Sequence, residues 1–419
     1  MIELLVIADD FTGAVDTGVQ FSKKGISTMV TVDEQIDFHA LPEEVCVLVV
    51  DTESRHSESA HAAQCVARIA ELGISYGIKY FYKKTDSTLR GNIGSELESL
   101  MRVCETNFIM FLPAYPKMCR TTLGGRQFIN GVPLNETSFS CDPLEPAVES
   151  FIPNIIAKQS GANVRICTKF SLPEIEPEEQ PAMTVYVFDA QSDQNLLEIG
   201  KGLNKRGFLQ VSAGCAGFAE YLPEVLELKT TLNMQPRKNH SKVLTVCGSV
   251  NVVSQRQVRY AQSKGFKVIR LDVGNLLDKR FSESDAGLQL IDDSINALNR
   301  GEKLIVGTYD SSGNVGCFKT EHCLAIATNL GVFISRIFKA AKLDSLVVFG
   351  GDTAIGILRA LTCRGIVPRE VIAPGVAISE SIVCQHKFDI VTKAGGFGED
   401  DILPKIYEYM NLKIPQVSK

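Results

Sequence analysis

The sequence predicts an α/β protein with two domains, each a mostly parallel sheet covered by helices, and an active site in the cleft between them. The chain has 419 residues, which is too long for one ordinary hydrophobic core. Short apolar runs alternate with amphipathic helical patterns, which is typical of parallel sheets covered by helices. A polar, basic stretch at residues 229–242 interrupts this alternation, which then restarts. We therefore predict one domain over residues 1–230 and a second over 241–419.

Each half of the chain contains its own series of predicted elements. In the first half, apolar and β-branched runs predict strands at residues 4–8, 27–32, 45–51, 78–83, 108–113, 184–189 and 208–212. Helical periodicity predicts helices at 13–24, 57–72 and 94–104, and a stretch rich in proline and glutamate predicts a surface loop at 171–182. In the second half we predict strands at 243–247, 267–271, 303–307, 345–349 and 388–391, and helices at 254–263, 286–298 and 321–341.

The composition is that of a globular protein without a strongly charged partner. Hydrophobic residues make up 45% and charged residues 22%, and the formal net charge is −6. Such a chain has no basic field to collect nucleic acid or an anionic membrane. The 12 cysteines form no Cys-x-x-Cys pair, so we interpret them as buried thiols of a reducing compartment. The first residues lack a basic signal region, and we expect a cytoplasmic protein.

Two adjacent aspartates, Asp9 and Asp10, follow the first predicted strand, and the next helix begins at Gly13. Ligands of open α/β sheets bind at this edge. Adjacent carboxylates repel each other, so they need a metal, a hydroxyl-rich ligand or a cationic side chain nearby. The alternative is that one of them only caps the helix. A phosphatase-like site would separate the two aspartates by one residue, so their adjacency argues against that chemistry.

A second polar group follows the predicted strand at 78–83. Within ten residues this loop contains three cations together with hydroxyl, amide and carboxylate groups: Lys83, Lys84, Asp86, Ser87, Thr88, Arg90 and Asn92. The cations suit a carboxylate or a phosphate, and the other groups suit sugar hydroxyls. Arg55 follows the strand at 45–51 at the same predicted edge and is a candidate carboxylate clamp. The long loop at 113–146 is typical of a lid or binding loop, in which Lys117 and Arg120 could reach a ligand, although dimer contacts would explain it equally well.

The second half contains three glycine-centred turns that follow predicted strands. They are Gly248-Ser249, the run at 350–353, and the run at 395–398. None of them matches a P-loop or a dinucleotide-binding fingerprint. Singly, each is weak evidence, because glycines end strands for geometric reasons. Three such turns at the same end of successive strands favour a cradle of backbone N–H groups for a polyphosphate.

Together, these motifs resemble the four-carbon acid sugar kinase family, a two-domain family formerly catalogued as a domain of unknown function. The resemblance rests on "IADDFTGAVDTG", "KKTDSTLRGN", "PAYPKMCRTT", "VFGGDTAIGI" and "TKAGGFG", which run in order from residue 7 to residue 398. It implies that a tetronate-type sugar acid is phosphorylated by ATP at its terminal 4-hydroxyl, in carbohydrate acid catabolism. It further implies that the first domain holds the acid and the second the nucleotide.

The resemblance also implies site residues. Those for the sugar acid are Asp9, Asp10, Arg55, Lys84, Thr85, Asp86, Ser87 and Arg90. Those for the nucleotide are Ser249, Gly350, Gly351, Asp352, Thr353, Gly395 and Gly396. The sequence after Gly248-Ser249 departs from the family pattern, because a second small hydroxyl residue and often a proline are expected there.

Phosphoryl transfer depends on positioning and charge neutralisation more than on covalent chemistry. We expect ATP and Mg²⁺ as cofactors, without an assigned metal ligand, and Asp352 or Asp10 as the catalytic base, with Asp352 favoured. The alternatives are a non-catalytic sensor of an anionic metabolite and a kinase for another small hydroxy acid. The stereoisomer and oxidation state of the substrate stay open among D-threonate, D-erythronate, L-threonate and a 3-oxo acid. A homodimer is the ordinary expectation for such an enzyme.

Overall fold

The computed structural model of the protein describes residues 2–32, 36–141, 146–167, 182–230, 240, 242–249, 251–309, 320–382 and 387–411. Its contacts divide the chain into two compact units, Met1–Leu232 and Asn233–Lys419. The predicted domain limits, residues 230 and 241, lie on either side of this division. The predicted loop at 171–182 and most of the stretch at 229–242 lie outside the described residues.

The first unit is built around a sheet of eight parallel strands. The strands of this unit are β1 (Leu4–Ala8), β2 (Thr28–Thr31), β3 (Val47–Asp51), β4 (Tyr80–Lys84), β5 (Phe108–Leu112), β6 (Arg120–Leu123), β7 (Arg126–Ile129), β8 (Val132–Pro133), β9 (Asn163–Cys167), β10 (Thr184–Phe188) and β11 (Val211–Gly214). The parallel sheet has the order β2-β3-β1-β4-β11-β5-β10-β9. Strand β1 is buried along its whole length, as its unbroken apolar sequence requires.

The helices of the first unit connect these strands. They are α1 (Phe11–Ser22), α2 (Ser59–Tyr76), α3 (Ile93–Val103), α4 (Ile152–Ala157), α5 (Asp193–Lys205), α6 (Ala216–Ala219) and α7 (Leu222–Val225). Every strand predicted in this half is present, with shifts of up to three residues at its ends. The long loop predicted at 113–146 is in part an antiparallel sheet, β6-β7-β8, which the sequence did not predict.

The second unit contains a mixed sheet in which one strand is antiparallel to both of its neighbours. Its strands are β12 (Val243–Cys247), β13 (Lys267–Asp272), β14 (Leu304–Tyr309), β15 (Ser345–Phe349), β16 (Gly365–Ala373), β17 (Val376–Ile382) and β18 (Asp389–Lys393). Their order is β13-β14-β12-β15-β18-β17-β16. Strand β17 is antiparallel to both β18 and β16, and the pairs among β13, β14, β12, β15 and β18 are parallel. The prediction of an α/β protein with mostly parallel sheets is confirmed.

The helices of the second unit are α8 (Val252–Ser263), α9 (Val273–Leu276), α10 (Asp285–Asn299), α11 (Thr320–Ala341), α12 (Gly351–Ala360) and α13 (Ile402–Asn411). Within α11, the segment His322–Ala341 is long and apolar enough to cross a membrane, but 44% of its apolar window is buried in the protein. Its apolar character has an explanation within the fold, because α11 packs closely on α12. A methyl group on Gly331 would lie 2.1 Å from the Gly356 carbonyl oxygen, and one on Gly356 would lie 2.2 Å from the Ala327 carbonyl oxygen.

Candidate active site

The parallel register of the first unit brings polar residues to one edge of its sheet. Ala8 at the end of β1 pairs with Asp51 at the end of β3 and with Lys84 at the end of β4. Lys84 in turn pairs with Gly214 at the end of β11. The residues that follow these strand ends therefore start from the same edge, where ligands of open α/β sheets bind.

The acidic pair is held by Arg55, which lies in the loop after β3. Arg55 donates from Nε to Asp9 Oδ2 at 2.8 Å and from Nη2 to Asp9 Oδ1 at 2.9 Å. The same Nη2 lies 2.5 Å from Asp10 Oδ1. Burial raises the pKa of Asp9, but the Arg55 guanidinium, helped by Lys83 and Lys84, lowers it more, and the net pKa is lowered to about 2. Arg55 and Asp9, both predicted as site residues, therefore form one buried ion pair.

Asp10 caps helix α1, because its Oδ1 accepts a hydrogen bond from the Gly13 amide at 3.2 Å. The capping alternative considered for this residue is therefore realised. It does not remove Asp10 from the site, since its side chain is partly exposed. A methyl group on Gly13 would lie 2.4 Å from Asp10 Oδ1 and 2.6 Å from Lys84 Nζ, so this position needs a glycine.

The two adjacent lysines of β4 point to different surroundings, as neighbouring residues of a strand do. Lys83 is fully buried, and its ammonium group lies 3.1 Å from Glu96 Oε2 and donates to the Lys84 carbonyl. Burial raises the pKa of Glu96, while Lys83 opposes that rise. Lys83 and Glu96 thus form a buried ion pair next to this edge of the sheet. Lys84 is 4% exposed, and within the described part of the chain its ammonium group has no ion-pair or hydrogen-bond partner.

The loop after β4 is ordered by internal hydrogen bonds. Asp86 Oδ2 accepts from Arg90 Nε at 2.6 Å and from the Thr88 hydroxyl. Burial raises the pKa of Asp86, but Arg55 and Arg90 lower it well below its usual range. The Thr85 hydroxyl is buried and has no hydrogen-bond partner in the structure. It is therefore a polar group at this edge that a ligand could satisfy.

The antiparallel sheet β6-β7-β8 adds Arg120 to this loop. Arg120 Nη1 donates to the Ser87 hydroxyl, while its Nε is buried without a partner in the structure. Gln127 of β7 donates to the Ser87 carbonyl at 3.0 Å. Sequence reasoning named Arg120 only as a residue that could reach a ligand, and Gln127 not at all.

Two further acidic residues at this edge were not predicted. Asp51 is 1% exposed, and its Oδ1 accepts from the Glu53 amide at 3.0 Å, while its Oδ2 has no hydrogen-bond partner among the residues that the structure describes. Burial, with the charges of Glu53, Asp10 and Asp9, raises the pKa of Asp51 well above its usual value. Burial also raises the pKa of Asp16 on α1, against the opposing charges of Lys84 and Arg120. Asp16 stands in the quoted motif "IADDFTGAVDTG", but it is six residues from Asp10, a spacing that does not place two residues on one face of a helix.

In the second unit, the three predicted glycine turns lie beside one another. A methyl group on Gly248 would lie 2.1 Å from Thr353 Oγ1, and one on Gly395 would lie 2.8 Å from Ser249 Oγ. Gly350 has φ +107°, which only glycine adopts readily, and it precedes helix α12. The predicted residues Ser249, Gly350, Thr353 and Gly395 are therefore brought together by the fold.

The third turn is held by side chains of α8 and by a buried lysine. Ser254 donates to the Gly395 carbonyl at 2.7 Å, and Gln257 donates to the Phe397, Gly398 and Glu399 carbonyls at 2.9, 2.7 and 3.1 Å. Lys393 is 1% exposed and donates to the carbonyls of Ala394 at 2.9 Å and Gly395 at 3.1 Å. Burial lowers the pKa of Lys393 to about 8. Sequence reasoning quoted Lys393 but gave it no role.

These turns have the properties of an anion site. The amides of Gly395 and Gly396 donate no hydrogen bond to any residue that the structure describes. The first turn of α12 adds amides that have no acceptor within the helix and a positive dipole end. Amide groups in this arrangement bind phosphate oxygens.

The carboxylates near the glycine turns decide whether this site could hold magnesium. No group of three or more histidine, cysteine, aspartate or glutamate side chains within the described ranges could hold a metal ion. A magnesium ion that binds nucleotide phosphates keeps several waters and needs only one or two protein carboxylates. Asp352, exposed in the first turn of α12, is a carboxylate of this kind. The residues present are therefore compatible with magnesium carried by a nucleotide.

Comparisons with known proteins match both units. A family model described as a sugar-binding N-terminal domain matches residues 4–222, and one described as a nucleotide-binding C-terminal domain matches residues 244–403. D-threonate kinase of Salmonella typhimurium is 31% identical over 96% of this chain and 97% of its own length. D-erythronate kinase of Heliobacterium modesticaldum is 26% identical over 99% of this chain and 98% of its own length. The crystal structure of a Haemophilus influenzae protein shares the fold, with a TM-score of 0.73, 22% identity, and coverage of 97% of this chain and 100% of that chain.

The family predicted from the sequence motifs is thereby confirmed. The two family models together span most of the chain, and the match to D-threonate kinase extends across both units. The chain belongs to the four-carbon acid sugar kinase family.

Proposed function

We propose that this protein is an ATP-dependent sugar acid kinase that phosphorylates a four-carbon sugar acid at its terminal 4-hydroxyl. The observation that carries the proposal is the similarity to a D-threonate kinase over 96% of the chain, because it includes the polar edge of the first unit and the glycine turns of the second. Such an enzyme is a phosphotransferase with an alcohol group as acceptor. It would serve carbohydrate acid catabolism.

The first unit is proposed to bind the sugar acid. Its edge offers cations for a carboxylate and hydroxyl and carboxylate groups for sugar hydroxyls. The proposed residues are those of the acidic pair, Arg55 and the loop after β4: Asp9, Asp10, Arg55, Lys84, Thr85, Asp86, Ser87 and Arg90. Arg55, Asp9, Asp86 and Arg90 would act mainly by fixing the shape of the edge, since their charges are already paired with one another.

The second unit is proposed to bind ATP through Ser249, Gly350, Gly351, Asp352, Thr353, Gly395 and Gly396. The amides of α12 and of the third turn would hold phosphate oxygens. Magnesium bound to the nucleotide would neutralise charge on the phosphates, and Asp352 is the candidate for either its protein partner or the base. The acceptor hydroxyl must lose a proton during transfer. Asp352 is favoured as the base because it lies in the first turn of α12, on the side of the proposed phosphate site.

A coupled assay of ADP release tests the proposal with a panel of acids: D-threonate, L-threonate, D-erythronate and a 3-oxo-tetronate. We expect ATP turnover that depends on at least one of them, and phosphate at the 4-position of the product by NMR. If no tetronate is phosphorylated while another hydroxy acid is, the substrate assignment is wrong. Binding without turnover of any acid would instead indicate a sensor. The interdomain cleft, the cytoplasmic location and the homodimer stay predictions.

A further inference from the structure

Most cations near the polar edge of the first unit are already paired with a carboxylate. Arg55 binds Asp9 and Asp10, and Arg90 binds Asp86. The same holds for Lys83, which pairs with Glu96, and for Lys117, which pairs with Glu220. A paired cation offers a ligand little net charge, because its partner already neutralises it.

Lys84 and Arg120 are the two exceptions within the described part of the first unit's edge. Among the residues that the structure describes, neither cation has a carboxylate oxygen within 4.0 Å. Lys84 is 4% exposed, so its stem is buried while its ammonium group reaches the N-terminal turn of α1, beside Gly13. Arg120 uses Nη1 on the Ser87 hydroxyl and leaves Nε buried without a partner. Buried cationic donors of this kind are costly unless a ligand satisfies them.

Arg120 reaches the loop that Lys84 begins, because its Nη1 donates to the Ser87 hydroxyl three residues further along that loop. Lys84 and Arg120 each lower the pKa of Asp16 and of Cys215, against the rise that burial causes in both groups. Asp16 has no carboxylate hydrogen bond to any residue the structure describes. Asp16 thus faces two cations, Lys84 and Arg120, and one further carboxylate, Asp10, which shares Arg55 with Asp9.

Arg120 is held firmly in this position. It stands at the start of β6, where its amide and carbonyl pair with Tyr115 at 3.1 and 2.7 Å. The preceding residues are fixed by Cys215 Sγ, which lies 3.2 Å from the carbonyl oxygens of both Pro113 and Ala114. A methyl group on Gly217 would lie 2.5 Å from the Ala114 carbonyl, so the β6 segment packs directly on helix α6. A preorganised arginine binds a carboxylate without a large ordering cost.

We propose that Lys84 and Arg120 together bind the carboxylate of the sugar acid, and that Arg120 selects acids over polyols. The Thr85 hydroxyl and Asp16 then lie beside the carboxylate for the nearest sugar hydroxyl. This inference rests on the proposed function: it adds Arg120 to the sugar-acid site and gives Lys84, already implied by the resemblance, a specific role towards the carboxylate.

The test measures Arg120→Gln against wild type with the tetronate that the panel identifies. We expect the KM for the acid to rise by about 100-fold, the value for losing a charge-assisted hydrogen bond, while the KM for ATP stays unchanged. Calorimetric titration without ATP compares D-threonate with threitol, which has the same carbon chain but no carboxylate. Wild type should bind D-threonate much more tightly than threitol. In Arg120→Gln the two affinities should be more similar.

Arg126→Gln is the matched control. Arg126 is exposed on β7 of the same small sheet and lies over the Phe151 ring, so its loss tests the sheet without touching the edge. We expect wild-type KM values for this variant. An acid KM within about threefold of wild type for Arg120→Gln would overturn the inference and leave the proposed function intact. A parallel rise in the KM for ATP would also overturn it, because Arg120 would then act through the fold. A wild-type protein that binds no tetronate would overturn both.

Discussion

Arg55 donates two parallel hydrogen bonds to Asp9, at 2.8 and 2.9 Å, between side chains that are both almost completely buried. The fork of a guanidinium matches a carboxylate in a way that an ammonium group does not. A buried carboxylate is unstable unless a cation of this kind satisfies it. Arg55 is therefore the group that permits two adjacent aspartates at the end of β1.

Replacing Arg55 should destabilise the first unit. We expect Arg55→Ala to cost roughly 3–5 kcal/mol, because it leaves Asp9 buried without its partner. Arg55→Lys should restore part of this stability, since it keeps the charge but loses one of the two parallel bonds. Differential scanning calorimetry measures both variants. Arg102→Ala is the control, because the Arg102 pair with Glu98 on α3 is exposed, and its loss should cost less than about 1 kcal/mol. Equal effects at the two sites would contradict this account.

Replacing Lys393 should weaken nucleotide binding. Lys393→Met leaves the carbonyls of Ala394 and Gly395 without their donor and removes a positive charge beside the proposed phosphate site. We expect the KM for ATP to rise about tenfold, with an unchanged KM for the sugar acid. Lys405→Met is the control, because Lys405 on α13 pairs with Asp401, just before that helix, at the protein surface. A rise in the sugar acid KM alone would contradict the assignment.

The lowered pKa of Lys393 predicts that both stability and ATP affinity depend on pH. Burial lowers its pKa from 10.5 to about 8, so the unfolded chain binds more protons than the folded protein between these values. The cost of the buried charge is therefore fully present below pH 8 and disappears as the pH rises towards 10.5. ATP affinity should change in the opposite sense and weaken above pH 8, as Lys393 loses its charge. Lys393→Met should show neither trend, which fluorescence titration and thermal unfolding can check.

The choice of catalytic base is tested by two matched variants. We expect Asp352→Asn to lower kcat by about 100-fold or more, because a general base acts in the transition state. Asp10→Asn should mainly raise the KM for the sugar acid, since Asp10 is engaged with Arg55 and the start of α1. Steady-state kinetics at saturating ATP separate the two effects. A near-normal kcat for Asp352→Asn would transfer the role of base to another carboxylate.

Replacing Asp51 with asparagine should stabilise the protein at pH 7. Burial is the first cause of its raised pKa, so the folded protein binds more protons here than the unfolded chain. The stability that Asp51 contributes is therefore full below about pH 4 and is lost as the pH rises through its folded pKa. Asp51→Asn has no such loss and keeps the acceptor for the Glu53 amide. Its Tm should exceed that of wild type at pH 7 and not at pH 4; a lower Tm at pH 7 would contradict this.

Much of the fold could be predicted because its signals are local. Strands β1, β12 and β15 have the predicted bounds, since each is an unbroken apolar run between polar turns. Strands β6 to β8 could not be predicted in the same way. They carry short polar sequences such as Arg120–Leu123, whose pairing depends on turns and on long-range contacts such as Thr122 with Ala190.

In the candidate site, too, some residues could be predicted from local sequence and others could not. Asp9, Asp10 and the loop after β4 could be predicted because they directly follow strands, and strand order places such residues at one edge. Asp51, Ser254 and Gln257 could not be. Their importance lies in burial and in the carbonyls that they contact, which depend on how distant segments pack. Charge pairing also lies beyond the sequence, since nothing in the composition of the loop distinguishes the paired Arg90 from the unpaired Lys84.

The close contact between α11 and α12 affects which substitutions can impair the use of ATP. Gly331 and Gly356 meet backbone to backbone, so neither position has room for a side chain. The N-terminal turn of α12 carries Gly351 to Thr353, and a helix moves as a rigid rod. A substitution as small as Gly331→Ala, which touches no nucleotide, would therefore displace the N-terminal turn of α12, where the phosphates are proposed to bind. Variants impaired in ATP use are to be sought among apolar positions far from any ligand as well as among the polar residues beside it.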